Sequence, residues 1–322
     1  MHESLQALDT IRLNFSSDGN TGLLVMNIAI AVIMFGVALD IKFSNFKNLM
    51  QHPKPVVIGA LSQFVILPAV TGLLTLIFWK NITTGIALGM ILVAACPGGN
   101  VSNFLSNYMG GNTALSVSLT AIISIAAIVM TPFNFFFWGK IYVTSGPWEK
   151  AELLKDIPIQ DIYVHMFFTV GLLLGLPIVL GMLANHYLPK ITAKIKMPIR
   201  GFSLLFFVGM ISVLFYNNRE YFSKYIFGIL VIVFIHNTLA FVSGYWFARA
   251  NKLSLWNART LSVETGIQNS ALGLVLLFNP KIFPPELATG GMMFVVAWWG
   301  IWHIISGFTI ASIWKRKPVP KE

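Results

Sequence analysis

The chain has 322 residues, of which 56% are hydrophobic and 11% charged, with 22 Lys and Arg against 12 Asp and Glu and a formal net charge of +10. Soluble domains run at about 45–50% apolar and about 25% charged residues, so a chain this poor in charge lacks a water-facing surface. Soluble enzymes and nucleic-acid modules are excluded despite the basic balance, and apolar runs of about 20 residues indicate an all-α polytopic membrane protein.

In chain order, residues 1–20 carry Glu3, Asp9 and Asp18 and no apolar h-region. They read as an extracytoplasmic tail, not a cleavable signal peptide. About nine spans are expected, at 21–39, 55–79, 83–108, 114–138, 162–185, 199–217, 224–248, 257–278 and 288–314. Span three breaks at Cys96-Pro97-Gly98-Gly99 and continues with the polar Asn100-Val101-Ser102-Asn103. Segment 139–161 carries Glu149, Glu152, Asp156 and Asp161 and reads as an external linker. Span eight is interrupted by Glu264-Thr265-Gly266-Ile267-Gln268-Asn269-Ser270, and 315–322 is a basic cytoplasmic tail. Cys96, the one cysteine, excludes disulfides within the chain. The Gly85-x-x-x-Gly89 spacing suggests a close helix contact.

Every Lys and Arg falls in or beside a gap between apolar runs, so the basic excess bears on topology. With the N-terminus outside, 14 of the 22 face the cytoplasm, including Lys42, Lys47 and Lys54, then Lys190, Lys194, Lys196 and Arg200. The expected location is the plasma (inner) membrane, multi-pass, with the C-terminus cytoplasmic. The two interrupted spans then run in opposite directions. The halves 21–138 and 162–314 therefore contain an inverted repeat, spans one to four matching spans six to nine. Interrupted helices in corresponding positions of two halves point to the binding site of a secondary transporter.

Glu264 is the only one of the 12 acidic residues deep inside a span. A mid-membrane carboxylate costs about 2.5–3.5 kcal/mol on insertion scales. No Lys or Arg lies deep enough to pair with it, so it must be protonated, face water or bind a cation. A protonated Glu bridging two helices is the bland reading, and an ion or proton site the favoured one. Ser116 and Thr120 share one face of span four. Ser102 and Asn103 follow the first break, Gln63 lies five residues before Pro68, and Gln268 and Asn269 follow Glu264 by about one turn. This all-oxygen set suits a hard cation. Na⁺ fits better than Ca²⁺, because one carboxylate is too little charge for a tight divalent site. The helix halves after each break point their N-termini inward, which favours an anionic substrate beside the ion.

His165 and His236 read as packing residues. His303, among Trp298, Trp299 and Trp302, could line a cavity. The sequence has no HExxH, GxSxG or Walker loop and no Cys/His cluster, so it does not read as an enzyme or an ATP-driven pump.

Cys96-Pro97-Gly98-Gly99-Asn100-Val101-Ser102-Asn103 with Ala114-Leu115-Ser116-Val117-Ser118 resembles a stretch of the bile acid:sodium symporter family. Val263-Glu264-Thr265-Gly266-Ile267-Gln268-Asn269 resembles that family's second motif. Gln63-Phe64 with Pro68, and Phe35-Gly36 with His52-Pro53-Lys54, fit its early spans. The resemblance implies a core and a panel domain, two discontinuous crossing helices and alternating access. It implies two Na⁺ sites. One would be Ser102, Asn103, Ser116, Thr120 and Glu264. The other would be Gln63 and Gln268, with Glu264 and the carbonyls near Thr265 and Ile267. The substrate would sit beside the crossing, near Asn100 and Asn269, with Pro97, Gly98, Gly99 and His303 as further candidates. Asn100 stands where the family usually carries Thr, and bacterial relatives often have ten spans in place of nine.

The expected activity is Na⁺-coupled symport of an organic anion, bile acid- or steroid-like or a small carboxylate. The rivals are a proton-coupled carrier or Na⁺/H⁺ antiporter of similar fold, and a membrane receptor that binds the anion without moving it. The expected partners are the substrate and the lipid bilayer, with no nucleic acid.

Overall fold

A computed structural model describes residues 53–145, 159–217, 219–284, 287 and 289–320, with scattered positions between 24 and 39. The expected tail 1–20, Asp40, Lys42, Lys47, His52 and the middle of the linker, 146–158, lie outside the described residues. Among the described residues all named elements are helical. The described positions from 28 to 38 are helical too.

Helix α1 runs Pro53–Ile77 and opens into a π turn at Ser62–Ile66. Pro68, just after that turn, has no N–H to give the Phe64 carbonyl one turn back. The Asn134 amide from the fourth helix donates to that carbonyl instead, at 3.1 Å. In lipid such a substitute is obligatory, because no water reaches the freed group. Helix α2 (Thr84–Ala95) starts at a Thr83 cap. It is followed by α3 (Val101–Tyr108) and by α4 (Thr113–Ser145). Helix α5 comprises Ile159–Val170, a second π turn at Gly171–Gly175, and Leu176–Tyr187 with Pro177 in its first turn. Then come α6 (Pro189–Asn217), α7 (Arg219–Ala250), α8 (Leu255–Gly266), α9 (Ser270–Phe278) and α10 (Gly290–Lys315).

Two boundaries differ from expectation. Helix α4 continues to Ser145, into the segment expected to be linker from 139. Helix α6 begins at Pro189, not near 199. Its extra turns carry Lys190, Lys194 and Lys196. Hydropathy detects only the part of a helix that lipid demands, and the backbone continues past the bilayer edge wherever its own hydrogen bonds carry it.

Among the described residues five segments are long and apolar enough to cross a membrane: Pro53–Ile77, Thr113–Ser145, Ile162–Tyr187, Lys224–Ala250 and Gly290–Lys315. Their outer faces leave large apolar side chains uncovered, Phe168 at 69% and Phe227 at 73% exposure. In water such a surface would aggregate, and lipid tails accept it. The protein is a multi-pass membrane protein. Helices α2, α3, α8 and α9 are different. With 12, 8, 12 and 9 residues, none reaches beyond about 18 Å, short of the roughly 30 Å hydrocarbon core.

Helix α2 is buried along nearly its whole length, between α1, α4 and α10. At Gly89 an added Cβ would stand 2.8 Å from the Met292 Cα, so this glycine lets α2 and α10 touch backbone to backbone. Helices α5 and α6 lie at the periphery. Ala38 packs against Gly181 of α5, and the Asn185 amide donates to the Leu39 carbonyl at 3.1 Å.

Candidate ion-binding site

The two interruptions meet. Gly98, between α2 and α3, pairs in antiparallel fashion with Gln268, between α8 and α9. The Gly99 N–H donates to the Ile267 carbonyl at 2.8 Å, and the Asn269 N–H donates to the Pro97 carbonyl at 2.8 Å. Each unwound strand thereby satisfies backbone groups of the other, which membrane depth requires. The approach is close. A Cβ on Gly99 would stand 3.1 Å from the Gln268 carbonyl oxygen. Beyond the crossing each chain re-enters a helix at an Asn. The Asn269 side chain caps α9 by accepting from the Leu272 N–H at 3.1 Å. Asn100 precedes α3 without capping it.

Glu264 lies in the last turn of α8 and is 2% exposed. The Ser116 hydroxyl bonds to its Oε1, and the Thr120 hydroxyl approaches Oε2 at 3.4 Å. The same two hydroxyls reach Asn103 Oδ1 at 2.8 and 3.1 Å. A hydroxyl carries one proton and can satisfy one acceptor at a time. Two hydroxyl protons therefore face three acceptor oxygens, two of them carrying a carboxylate's charge. The fully buried Ser102 hydroxyl lies beside the carboxylate, without a hydrogen bond of ordinary geometry. With Ser102 the cluster offers three hydroxyls to three acceptor oxygens, and its carboxylate has no basic side chain beside it among the described residues, an arrangement that a cation or one added proton completes.

A second cluster lies on the other side of α8. Gln63, placed by the π turn of α1, donates from Nε2 to Gln268 Oε1 at 2.7 Å and to the Cys96 carbonyl at 2.9 Å. Gln268 Nε2 donates to the Thr265 carbonyl at 2.7 Å and to Gln63 Oε1 at 3.2 Å. The Ser62 and Thr265 hydroxyls bond at 2.8 Å.

The structure thus gathers Ser102, Asn103, Ser116, Thr120 and Glu264 at one point and Gln63, Gln268 and Thr265 at another. The Ile267 carbonyl is engaged by Gly99 in the crossing itself. His303 is buried on α10, and its Nδ1 has no hydrogen-bond partner among the described residues. One turn further on, Gly307 meets the Ile267 side chain, where an added Cβ would come within 2.7 Å. His236 donates to or accepts from the Thr71 hydroxyl at 2.7 Å and packs against Trp299, as a packing histidine does.

Sequence reasoning passed over Asn237. Its amide donates to the Gly266 carbonyl at 2.8 Å, and its Oδ1 accepts from Ser306 at 2.5 Å, tying α7 and α10 to the end of α8. The available signal was a second polar side chain beside His236 in an apolar run. In Asn237→Ala both partners lose their bond in a buried site, which costs about 1–3 kcal/mol. Thermal unfolding in detergent is expected to show a clear drop in Tm, and an unchanged Tm would mean that these bonds do not hold α7 and α10 to α8.

Residues 27–225 match the model of the Sodium Bile acid symporter family. Over 297 residues, 92% of this chain and 85% of the relative, the sequence is 29% identical to an uncharacterized sodium-dependent transporter, YocS, of Bacillus subtilis (strain 168). It is 29% identical over 292 residues to a probable chloroplastic sodium/metabolite cotransporter, BASS2, of Oryza sativa subsp. japonica, covering 85% of this chain and 64% of that one. It is 28% identical over 263 residues to the ileal sodium/bile acid cotransporter of Cricetulus griseus, covering 80% and 70%. These relatives are transporters, not enzymes.

Proposed function

This chain belongs to the Sodium Bile acid symporter family, and on that premise we propose that it carries an organic anion together with Na⁺ across the plasma membrane by alternating access. The observation that carries the reading is the buried carboxylate of Glu264 in a cluster of side-chain oxygens with no basic side chain beside it among the described residues, set against two broken helices. Na⁺ is a substrate of the cycle here. One ion would take oxygens from Ser102, Asn103, Ser116, Thr120 and Glu264. A second would take Gln63 and Gln268, with Glu264 and the carbonyls of Thr265 and Ile267. That second ion would have to replace the amide pairing of Gln63 with Gln268. Because Glu264 would serve both sites, it links them electrostatically. Two Na⁺ with a monovalent anion make the cycle electrogenic.

The anion would sit at the crossing, along Pro97, Gly98, Gly99 and Asn100, with Asn269 opposite and His303 on the α10 side. The starts of α3 and α9 favour negative charge there. The Asn100 carboxamide, unused as a cap, would hydrogen-bond the substrate. The substrate class is a bile acid- or steroid-like acid or a small carboxylate. Nine spans are proposed in two inverted halves, 21–138 and 162–314, joined by an external linker over 139–161. The N-terminus lies outside and the C-terminus in the cytoplasm. Helices α5 and α6, with the helical segment that touches α5 through Ala38 and Leu39, would be the panel. The crossing helices and their neighbours would be the core that rocks against it.

The experiment is uptake of labelled organic acids into proteoliposomes. Uptake is expected to require an inward Na⁺ gradient and to survive a protonophore. Uptake that persists in K⁺ medium and collapses with the protonophore would overturn Na⁺ coupling in favour of protons. Binding without counterflow would make the protein a receptor.

A further inference from the structure

We propose that a groove between α7 and α10, at the end where both carry their basic residues, binds an anionic phospholipid. The groove has a volume of about 320 Å³ and is lined by Phe241, Val242, Tyr245, Trp246, Ile313 and Trp314. Val242, Trp246 and Ile313 are exposed on the outer surface of the bundle, so the groove opens sideways, toward the bilayer. Trp and Tyr concentrate where hydrocarbon meets headgroups, which puts the mouth of the groove at the depth of a lipid phosphate.

That mouth is cationic. The Arg259 guanidinium stands 5.6 Å over the Trp314 ring. Its Nη1 donates to the Lys317 carbonyl at 2.6 Å and approaches the Trp314 carbonyl at 3.4 Å, joining α8 to the end of α10. Both contacts use one nitrogen of a planar fork that carries five N–H groups, so the others remain for a phosphate. Lys315, Arg316 and Lys317 follow directly and are exposed. Arg249 lies one turn beyond Tyr245 on α7, and Lys252 follows it. Among the described residues the nearest carboxylate along this end is Glu264, buried in the crossing. Glu220 is at the opposite end of α7, 29 residues from Arg249 and thus about 44 Å away. Among the described residues the cations therefore have no protein counter-charge at hand. An apolar slot open to lipid with unneutralised cations at headgroup depth matches a two-part ligand, an acyl chain and a phosphate of net negative charge. This inference stands apart from ion coupling and depends only on the chain spanning a membrane.

The test is lipid retention by the purified full-length protein in detergent, read by native mass spectrometry and by Tm. The probes are phosphatidylglycerol, phosphatidylcholine of the same acyl chains, and glycerol 3-phosphate. Phosphatidylglycerol is expected to be retained and to raise Tm, and the other two are not. Each cation removed is expected to weaken retention about fivefold, as about 1 kcal/mol per basic residue near a lipid surface implies. Arg259→Gln and Lys315→Gln/Lys317→Gln test the headgroup contact. If the first does not stay monodisperse, the second, altered only at exposed positions, decides. Val242→Trp, which fills the slot and leaves the cations, is expected to lose the lipid as well. Equal retention of both lipids, equal protection by glycerol 3-phosphate, or unchanged retention in Lys315→Gln/Lys317→Gln would overturn the proposal.

Discussion

In Glu264→Gln the stabilisation by Na⁺ is expected to vanish. The measurement is Tm in NaCl against KCl at equal ionic strength, so that screening cancels and only a specific ion remains. A ligand that binds the folded state alone raises stability with the logarithm of one plus its concentration over Kd. The carboxylate is the one full charge in the cluster of Asn103, Ser116 and Thr120. At about 4 Å and an effective dielectric of about 20, removing it takes away about 4 kcal/mol of attraction for a cation. That is roughly a thousandfold loss of affinity. The ion-free variant is expected to melt no lower than the unaltered protein. A carboxylate at this depth costs about 2.5–3.5 kcal/mol, and Gln keeps its shape and one carbonyl oxygen without that cost. The opposite signs are diagnostic: a residue that served only packing would lose stability in both salts alike. An unchanged Na⁺ shift in the variant would remove Glu264 from the ion site.

Gly266→Ala is expected to damage the fold at the crossing itself. A Cβ there would come within 2.4–2.6 Å of the Phe241 ring. That ring is 3% exposed and packed among Leu105, Val263 and Ile267, so shifting it breaks into that cluster. Overfilling of this kind costs about 1–3 kcal/mol, out of a total stability of about 5–15 kcal/mol. The displacement also acts on the Gly266 carbonyl, which holds Asn237. Both Tm and the Na⁺ response should therefore fall. Gly98→Ala is the matched control, because its new methyl would find its nearest neighbour at 3.4 Å, an ordinary contact. It is expected to melt near the unaltered protein. If Gly266→Ala melts there too, packing of Phe241 on α8 does not hold the crossing in place.

Among the described residues the expected spans fall on helices to within about five residues, except at the two ends where α4 and α6 run past the lipid. A bilayer accepts backbone only as helix or closed barrel, and an apolar run of about 20 residues is too long for a barrel strand. The breaks were legible for the converse reason. Pro97, Gly98 and Gly99 at membrane depth, and a polar run from Glu264 to Asn269, cannot continue a lipid-facing helix. What each break touches was not legible. The register that sets Gly98 opposite Gln268 depends on two helices meeting in space. Gln63 stood out as a polar residue in an apolar run. The π turn that aims it at Gln268 and Cys96 follows from Pro68 together with an amide supplied by α4.

The scarcity of charge determined from the sequence alone that this chain lives in lipid, and that Glu264 has no basic partner there. An unpaired carboxylate in hydrocarbon demands compensation wherever it is found, so one residue type at one depth suffices to name a candidate site. The donors around it were another matter. Ser116 and Thr120 on α4, Asn103 on α3 and Glu264 on α8 come from three helices far apart in the chain. Only their packing gathers these oxygens around one carboxylate. Composition states that a charge must be answered, while the set of oxygens at the site, which only tertiary structure brings together, states what kind of group can answer it.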